Sequence, residues 1–271
     1  MLTPTAEIIA AAYAAGTGAG AFNVIQVEHA QGIVAGAEQA GLPVILQVSE
    51  NTVGYHGGLA AIGAACLEIA NTASVPVAVH LDHATRGDLV DQAVALGFGS
   101  VMFDASALPY EANVAATAEV VRRTGVFVEA ELGEVGGKDG VHAPGARTDP
   151  AEAAAYVAAT GVGALAVAVG TSHAMLTRDA ALDFDLITAL RAAVPVPLVL
   201  HGSSGVADDG LTKAVRNGMT KINIATQLNK AFTAEVRRAL ADERIVDPRK
   251  YLGPARDAVA AQVAHLLRVL H

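Results

Sequence analysis

The chain has 271 residues, of which 52% are hydrophobic, with 27 glycines, one cysteine and a formal net charge of −9. That length suits one barrel of alternating strands and helices better than two domains, and the apolar share can bury a large core. An acidic balance without a basic cluster or aromatic platform argues against nucleic acid and against an anionic membrane surface as partners. The lone Cys66 cannot form an intramolecular disulfide, and the N-terminal MLTPTAEII lacks the basic region, apolar core and cleavage site of an export signal. A soluble, cytoplasmic protein is expected.

Along the chain one theme repeats: a helical segment, a turn marked by Gly or Pro, then a short apolar strand. Strands are predicted at 20–24, 43–49, 76–83, 100–106, 127–133, 164–170, 197–202 and 221–226. Several are continuously hydrophobic, as expected of parallel strands covered on both faces. Amphipathic or alanine-rich helices are predicted at 28–40, 88–96, 111–123 and 184–193. At Asp149-Pro150-Ala151-Glu152, a capping acid, a proline at the first helical position and a Glu three residues on open another. Eight such units predict an α/β fold, a TIM (β/α)8 barrel spanning 1–271 as one domain, with an extra C-terminal helix over 254–270.

A barrel of this kind gathers its functional residues where the strands end at their C-termini. Strand one ends at Asn23, strand three at Asp82 and His83, and strand four at Asp104 and Ser106. Strand five carries Glu129 and Glu131, His173 follows strand six, and His201 closes strand seven. Three histidines from three strands, around an open position, form a ligand set for a divalent ion, most often zinc. Adjacent strand residues point to opposite faces, so Asp82 and His83 share a site only if the chain turns there. The segment Gly202-Ser203-Ser204-Gly205 after strand seven, and Asn223 to Thr226 at the end of strand eight, occupy the positions from which such barrels hold a phosphate.

The motifs LDHAT, VMFDASALPYEANV, VEAELGEVGG, AVGTSH, LVLHGSSG and TKINIATQL, in this order, resemble the class II, metal-dependent ketose-bisphosphate aldolases over nearly the whole chain. The resemblance implies that His83, His173 and His201 bind a catalytic zinc, while Asp104 and Glu131 line an alternative or second divalent-ion position. It implies Asp82 as the acid/base residue and Asn23 as a substrate contact. Gly202, Ser203 and Ser204, with Asn223, Ile224, Ala225 and Thr226, would form the phosphate cradle. The implied reaction is reversible cleavage of fructose or tagatose 1,6-bisphosphate to dihydroxyacetone phosphate and glyceraldehyde 3-phosphate, by a homodimer or homotetramer. The chain's five lysines offer no Schiff-base alternative: none is read at a strand's C-terminal end, and Lys221 is read as beginning strand eight.

Three positions depart from the family pattern. Ala174 follows the second histidine where the family has glycine, beside the phosphate and its associated monovalent cation. The loop Gly136-Gly137-Lys138-Asp139-Gly140 is one residue short, leaving Asp139 as the nearest counterpart of the family's loop glutamate. Ala225 stands where many fructose enzymes have aspartate and tagatose-type relatives have alanine. Arg249 and Arg256 are candidates for the second phosphate. Two alternatives follow: the same machinery acting on another phosphorylated aldehyde, and a phosphosugar-binding barrel without turnover.

Overall fold

Each apolar run becomes a strand, and each amphipathic run becomes a helix that covers it. In the computed structural model, which describes residues 1–133, 146–173 and 175–271, the strands are β1 (Ala19–Asn23), β2 (Val44–Ser49), β3 (Val77–Ala84), β4 (Ser100–Phe103), β5 (Phe127–Leu132), β6 (Ala164–Val167), β7 (Leu198–Leu200) and β8 (Met219–Ile224). All pair in parallel and in sequence order, and β8 closes on β1. The described residues also form α1 (Thr5–Ala15), α2 (Val27–Ala40), α3 (Glu50–His56), α4 (Ala60–Thr72), α5 (Gly87–Leu96), α6 (Tyr110–Thr124), α7 (Pro150–Thr160), α8 (Phe184–Ala193), α9 (Asp208–Asn217), α10 (Thr226–Ala239) and α11 (Arg249–Leu270). Among these helices no single one is long and apolar enough to cross a membrane.

Local chemistry accounts for the boundaries. Asp149 caps α7 by accepting hydrogen bonds from the backbone N–H groups of Ala151 and Glu152, with Pro150 at the first position as expected. Glycines in the left-handed conformation end α1, α2, α3, α5, α6 and α7. The last helix starts at Arg249 rather than at Pro254, so Pro254 lies inside it. Proline favours the opening turn of a helix, which is why it read as the start. Strands β4 and β6 stop at Phe103 and Val167, three residues short of the predicted ends, and the remaining rim residues belong to loops.

The pleat sorts the strand residues. Val77, Val79 and Leu81 of β3, Val128, Ala130 and Leu132 of β5, and Leu198 and Leu200 of β7 face the helices and join the main apolar core. The alternate positions face the barrel axis. At its floor α1 inserts Ile8, Ile9 and Ala12 against Ala19, Ala21, Ile45 and Ala78, and the Thr5 hydroxyl lies 2.6 Å from the Ser100 hydroxyl. The Phe127 ring also packs there.

Helices α2 and α11 touch through small residues. A Cβ built on Gly32 would lie 2.7 Å from the Arg256 carbonyl oxygen and 3.0 Å from the Val259 side chain. Helix propensity favours alanine over glycine by about 1 kcal/mol, whereas overpacking costs about 1–3 kcal/mol. The backbone carbonyl cannot swing away, so steric cost prevails. Gly32→Ala is expected to lower the urea midpoint of unfolding.

Candidate active site

The axis-facing residues nearest the C-terminal rim are Asn23, Ser49, Asp82, Asp104, Glu131, His201 and Asn223, one from each of seven strands or strand extensions. Most of them line a pocket of about 680 Å³, together with Ile25, Glu50, Asn51, Thr52, Tyr55, Thr85, His173 and residues of the β7 and β8 loops. Asp82 is held at its centre: the Asn23 amide donates to it at 2.8 Å and the Asn223 amide reaches it at 3.5 Å, while the Gln47 amide donates to Asn23 at 3.2 Å. Burial works against the Asp82 anion, but His83, Lys221 and His201 outweigh it and hold its pKa down at about 2.

His83 is the neighbour of Asp82 and by strand alternation should face the helices. Instead its φ is +49°, the only positive value at a non-glycine among the described residues. The β3–β4 register shifts between Leu81 and Ala84, and the resulting bulge turns the His83 ring toward the pocket. His83 Nδ1 lies 2.8 Å from an Asp104 carboxylate oxygen. A carboxylate can only accept, so Nδ1 donates in this contact and Nε2 is the nitrogen available to a ligand. The Ser106 hydroxyl donates to the other Asp104 oxygen at 2.6 Å.

The three histidine rings stand edge to face, with centroids 4.6 to 5.8 Å apart. One donor atom from each of His83, Glu131, His173 and His201 lies within 4.8 Å of every other. His201 sits between two carboxylates, with Nδ1 3.1 Å from Glu131 and Nε2 3.1 Å from Glu129. Burial lowers its pKa, yet the two acids dominate and push it up to about 9. A divalent cation among these groups would supply the positive charge that this proton otherwise supplies. Three imidazoles and a carboxylate therefore fit a zinc-like ion. A Glu131 oxygen lies within the histidine group, while Asp104 contacts His83 Nδ1 and the Ser106 hydroxyl.

Below this layer lies a buried charge network that sequence reasoning missed; Glu129, expected at the rim with Glu131, belongs to it. Lys221 Nζ is 2.8 Å from Glu129, and both side chains are wholly buried. His80 Nδ1 lies 2.7 Å from the Ser100 hydroxyl, and its Nε2 lies 3.8 Å from Glu129. Lys221 stands in the middle of β8, not at its start, and faces the axis as a counter-ion. Glu129, neutralised by Lys221, accepts the Nε2 proton of His201 and thereby turns Nδ1 toward the other donors. In these runs each charged residue alternates with outer-core residues such as Leu81, Ala130 and Ile222. Period-two alternation within them was the available signal.

The loops after β7 and β8 meet as expected. Gly202 adopts the left-handed conformation, where a Cβ would lie 2.6 Å from the Ser172 carbonyl oxygen. The Ser203 hydroxyl donates to the Asn223 carbonyl, and the Ala225 N–H donates to the Ser204 hydroxyl at 3.2 Å. Gly202, Ser204, Asn223, Ala225 and Thr226 line the pocket at the start of α10, whereas the Ile224 side chain packs in the outer core. Arg249 and Arg256 pair with Asp247 and Asp257 of the same chain. Asp139 and Ala174 lie outside the described residues.

Eight β/α units with acid, imidazole and amide groups converging on the C-terminal rim define a TIM-barrel site built for a small polar substrate. The chain belongs to the fructose-bisphosphate aldolase class-II family, whose match spans residues 3–271. A fructose-bisphosphate aldolase of Geobacillus stearothermophilus is 41% identical over 258 residues, 92% of this chain and 90% of that one. A probable fructose-bisphosphate aldolase of Bacillus subtilis is 39% identical over 277 residues, 98% of this chain and 96% of that one. Among solved structures, the YdjI aldolase of Escherichia coli K12 superposes with a TM-score of 0.88 at 32% identity, covering 100% of this chain and 97% of that one.

Removing one member of a buried ion pair strands its partner, at a cost of about 3–5 kcal/mol. Lys221→Met is expected to destabilise by that order, measured by urea unfolding. Acid should destabilise through His80, whose pKa burial and Lys221 hold down at about 3 against 6.5 in the free side chain. Between those values only the unfolded chain takes up this proton, so the stability is present above pH 6.5 and lost as pH falls toward 3. The slope is about 1.4 kcal/mol per pH unit. Urea unfolding from pH 7 to pH 4 should give a shallower acid decline for His80→Gln.

Proposed function

We propose that this chain is a metal-dependent aldolase that reversibly cleaves a ketose 1,6-bisphosphate, fructose or tagatose, to dihydroxyacetone phosphate and glyceraldehyde 3-phosphate. The observation that carries this reading is an ionised, doubly amide-held Asp82 standing next to the His83, Glu131, His173 and His201 group in one pocket. His83, His173 and His201, with Glu131, would hold the ion. When bound, a divalent ion supplies Lewis-acid stabilisation of negative charge on a substrate oxygen, worth several kcal/mol.

Asp82 takes the proton of the C4 hydroxyl. The O–H electron pair forms the C4 carbonyl, the C3–C4 bond breaks, and its electrons pass toward the C2 oxygen. Asn23 and Asn223 keep Asp82 aimed at that proton, and burial keeps competing water from it. The Asn223 Oδ1 is buried, and no described group donates to it, so it suits a substrate hydroxyl. Backbone N–H groups at the start of α10, with the Ser204 hydroxyl, suit the phosphate, which the helix dipole favours. By the resemblance, Ala225, which lines the pocket, points to tagatose 1,6-bisphosphate or another non-glycolytic substrate.

Both bisphosphates should be assayed side by side, with chelator and with zinc added back. Cleavage that chelator abolishes and zinc restores is the expected outcome. No cleavage of either by zinc-loaded protein would sink the proposal and leave another phosphorylated aldehyde or a binding-only barrel. Those two separate by exchange of the C3 proton of dihydroxyacetone phosphate. Asp82→Ala should retain zinc and lose about 10²- to 10⁴-fold in kcat, whereas His201→Ala should lose metal and activity together.

A further inference from the structure

We infer that Glu50 is a positioning residue that clamps the tip of β3 in the turn that brings His83 into the pocket. The functional meaning of this clamp rests on the metal-dependent reading above. A side chain with a Cβ avoids positive φ because Cβ crowds the backbone carbonyl, so His83 at +49° must be held from both sides. Upstream, Asn23 and Asn223 hold Asp82, and Asp104 holds the His83 ring. Downstream, the Thr85 N–H donates to the Glu50 carboxylate at 2.6 Å, and the Thr85 hydroxyl lies 3.1 and 3.3 Å from its two oxygens.

The geometry points to one function for this contact. Glu50 opens α3 directly after Ser49, which is paired with Asp82 across the β2–β3 ladder. A carboxylate at this place therefore has a fixed origin beside Asp82 and reaches the residue two beyond His83. Its hydrogen bonds anchor the chain just past the bulge between Leu81 and Ala84, where the ladder is interrupted. Thr85 presents two donors, an N–H and an O–H, and an acceptor-only group satisfies both at once. Without this clamp, Thr85 is free to relax and His83 to return to the extended conformation, which carries its ring out of the ligand group.

The test measures zinc affinity of the metal-free protein by competition with a chromophoric chelator, without substrate, for wild type, His83→Ala, Glu50→Ala, Glu50→Gln and Thr85→Val. Glu50→Ala is expected to weaken zinc binding about 10- to 100-fold. Glu50→Gln, whose amide oxygen still accepts from the Thr85 N–H, should lose less, and kcat should fall more than KM rises. Wild-type zinc affinity in folded Glu50→Ala overturns the inference. So does a raised KM with zinc affinity unchanged, which would make Glu50 a substrate contact. If Glu50→Ala does not fold, unchanged affinity in both Glu50→Gln and Thr85→Val overturns it instead. If His83→Ala binds zinc as wild type does, it is the metal reading that fails. The clamp is then decided by crystals of the Glu50 variants: His83 leaving positive φ supports it, and φ near +49° overturns it.

Discussion

In a closed barrel of eight parallel strands, only every second residue can face the axis. The outward half must be apolar, because helices cover it; the inward half must fill a narrow space and, near the C-terminal rim, supply the chemistry. This chain meets the second demand with small residues at Ala21, Ala78, Ala164 and Ala166, which leave room for the long side chains of Glu129, His80 and Lys221. Asn23, Asp82, Glu131, His201 and Asn223 stand one pleat higher.

The buried charges follow from that arrangement. Glu129 and Lys221 are wholly buried, so each is tolerable because the other is 2.8 Å away. Such a pair adds little net stability compared with a well-packed apolar substitute. Its consequence lies above it, where Glu129 at 3.1 Å from His201 Nε2 sets which nitrogen of that ring faces the site. Orientation of a candidate ligand by a carboxylate on its far nitrogen recurs at His83, where Asp104 does the same from the rim. Two of the three histidines are thus oriented by acids drawn from different strands.

The rim loops carry what the pleat cannot. His173 comes from the loop after β6, and the proposed phosphate cradle comes from the turns after β7 and β8. Relatives about 40% identical match nearly the whole chain. Of the three positions that the resemblance sets apart, Ala225 stands at the cap of α10, while Ala174 and Asp139 lie outside the described residues. Strand and helix positions are constrained by packing on both faces, whereas loop residues are constrained by the substrate they meet.

The strand order, the closed barrel and most of the rim residues were legible in the sequence. Parallel strands covered on both faces are long apolar runs, and their C-terminal ends share one face whatever the detailed register. Asp149 and Pro150 announced a helix start through chemistry local to four residues. The role of Pro254, the extent of α1, α3 and α4, and the pairing of Glu129 with His80 and Lys221 were not legible, because each depends on contacts distant along the chain. His83 is the sharpest case. Alternation alone turns it away from Asp82, and only the bulge in β3, fixed by β4 and by groups such as Asp104 and Thr85, sets its φ at +49°. Sequence by itself therefore determined which elements form and which residue types reach the rim, since those follow from local apolar pattern. Tertiary structure decided which side of each strand faces the axis, which acid meets which base, and where the pleat is broken, because pairing register and buried electrostatics exist only once the barrel closes.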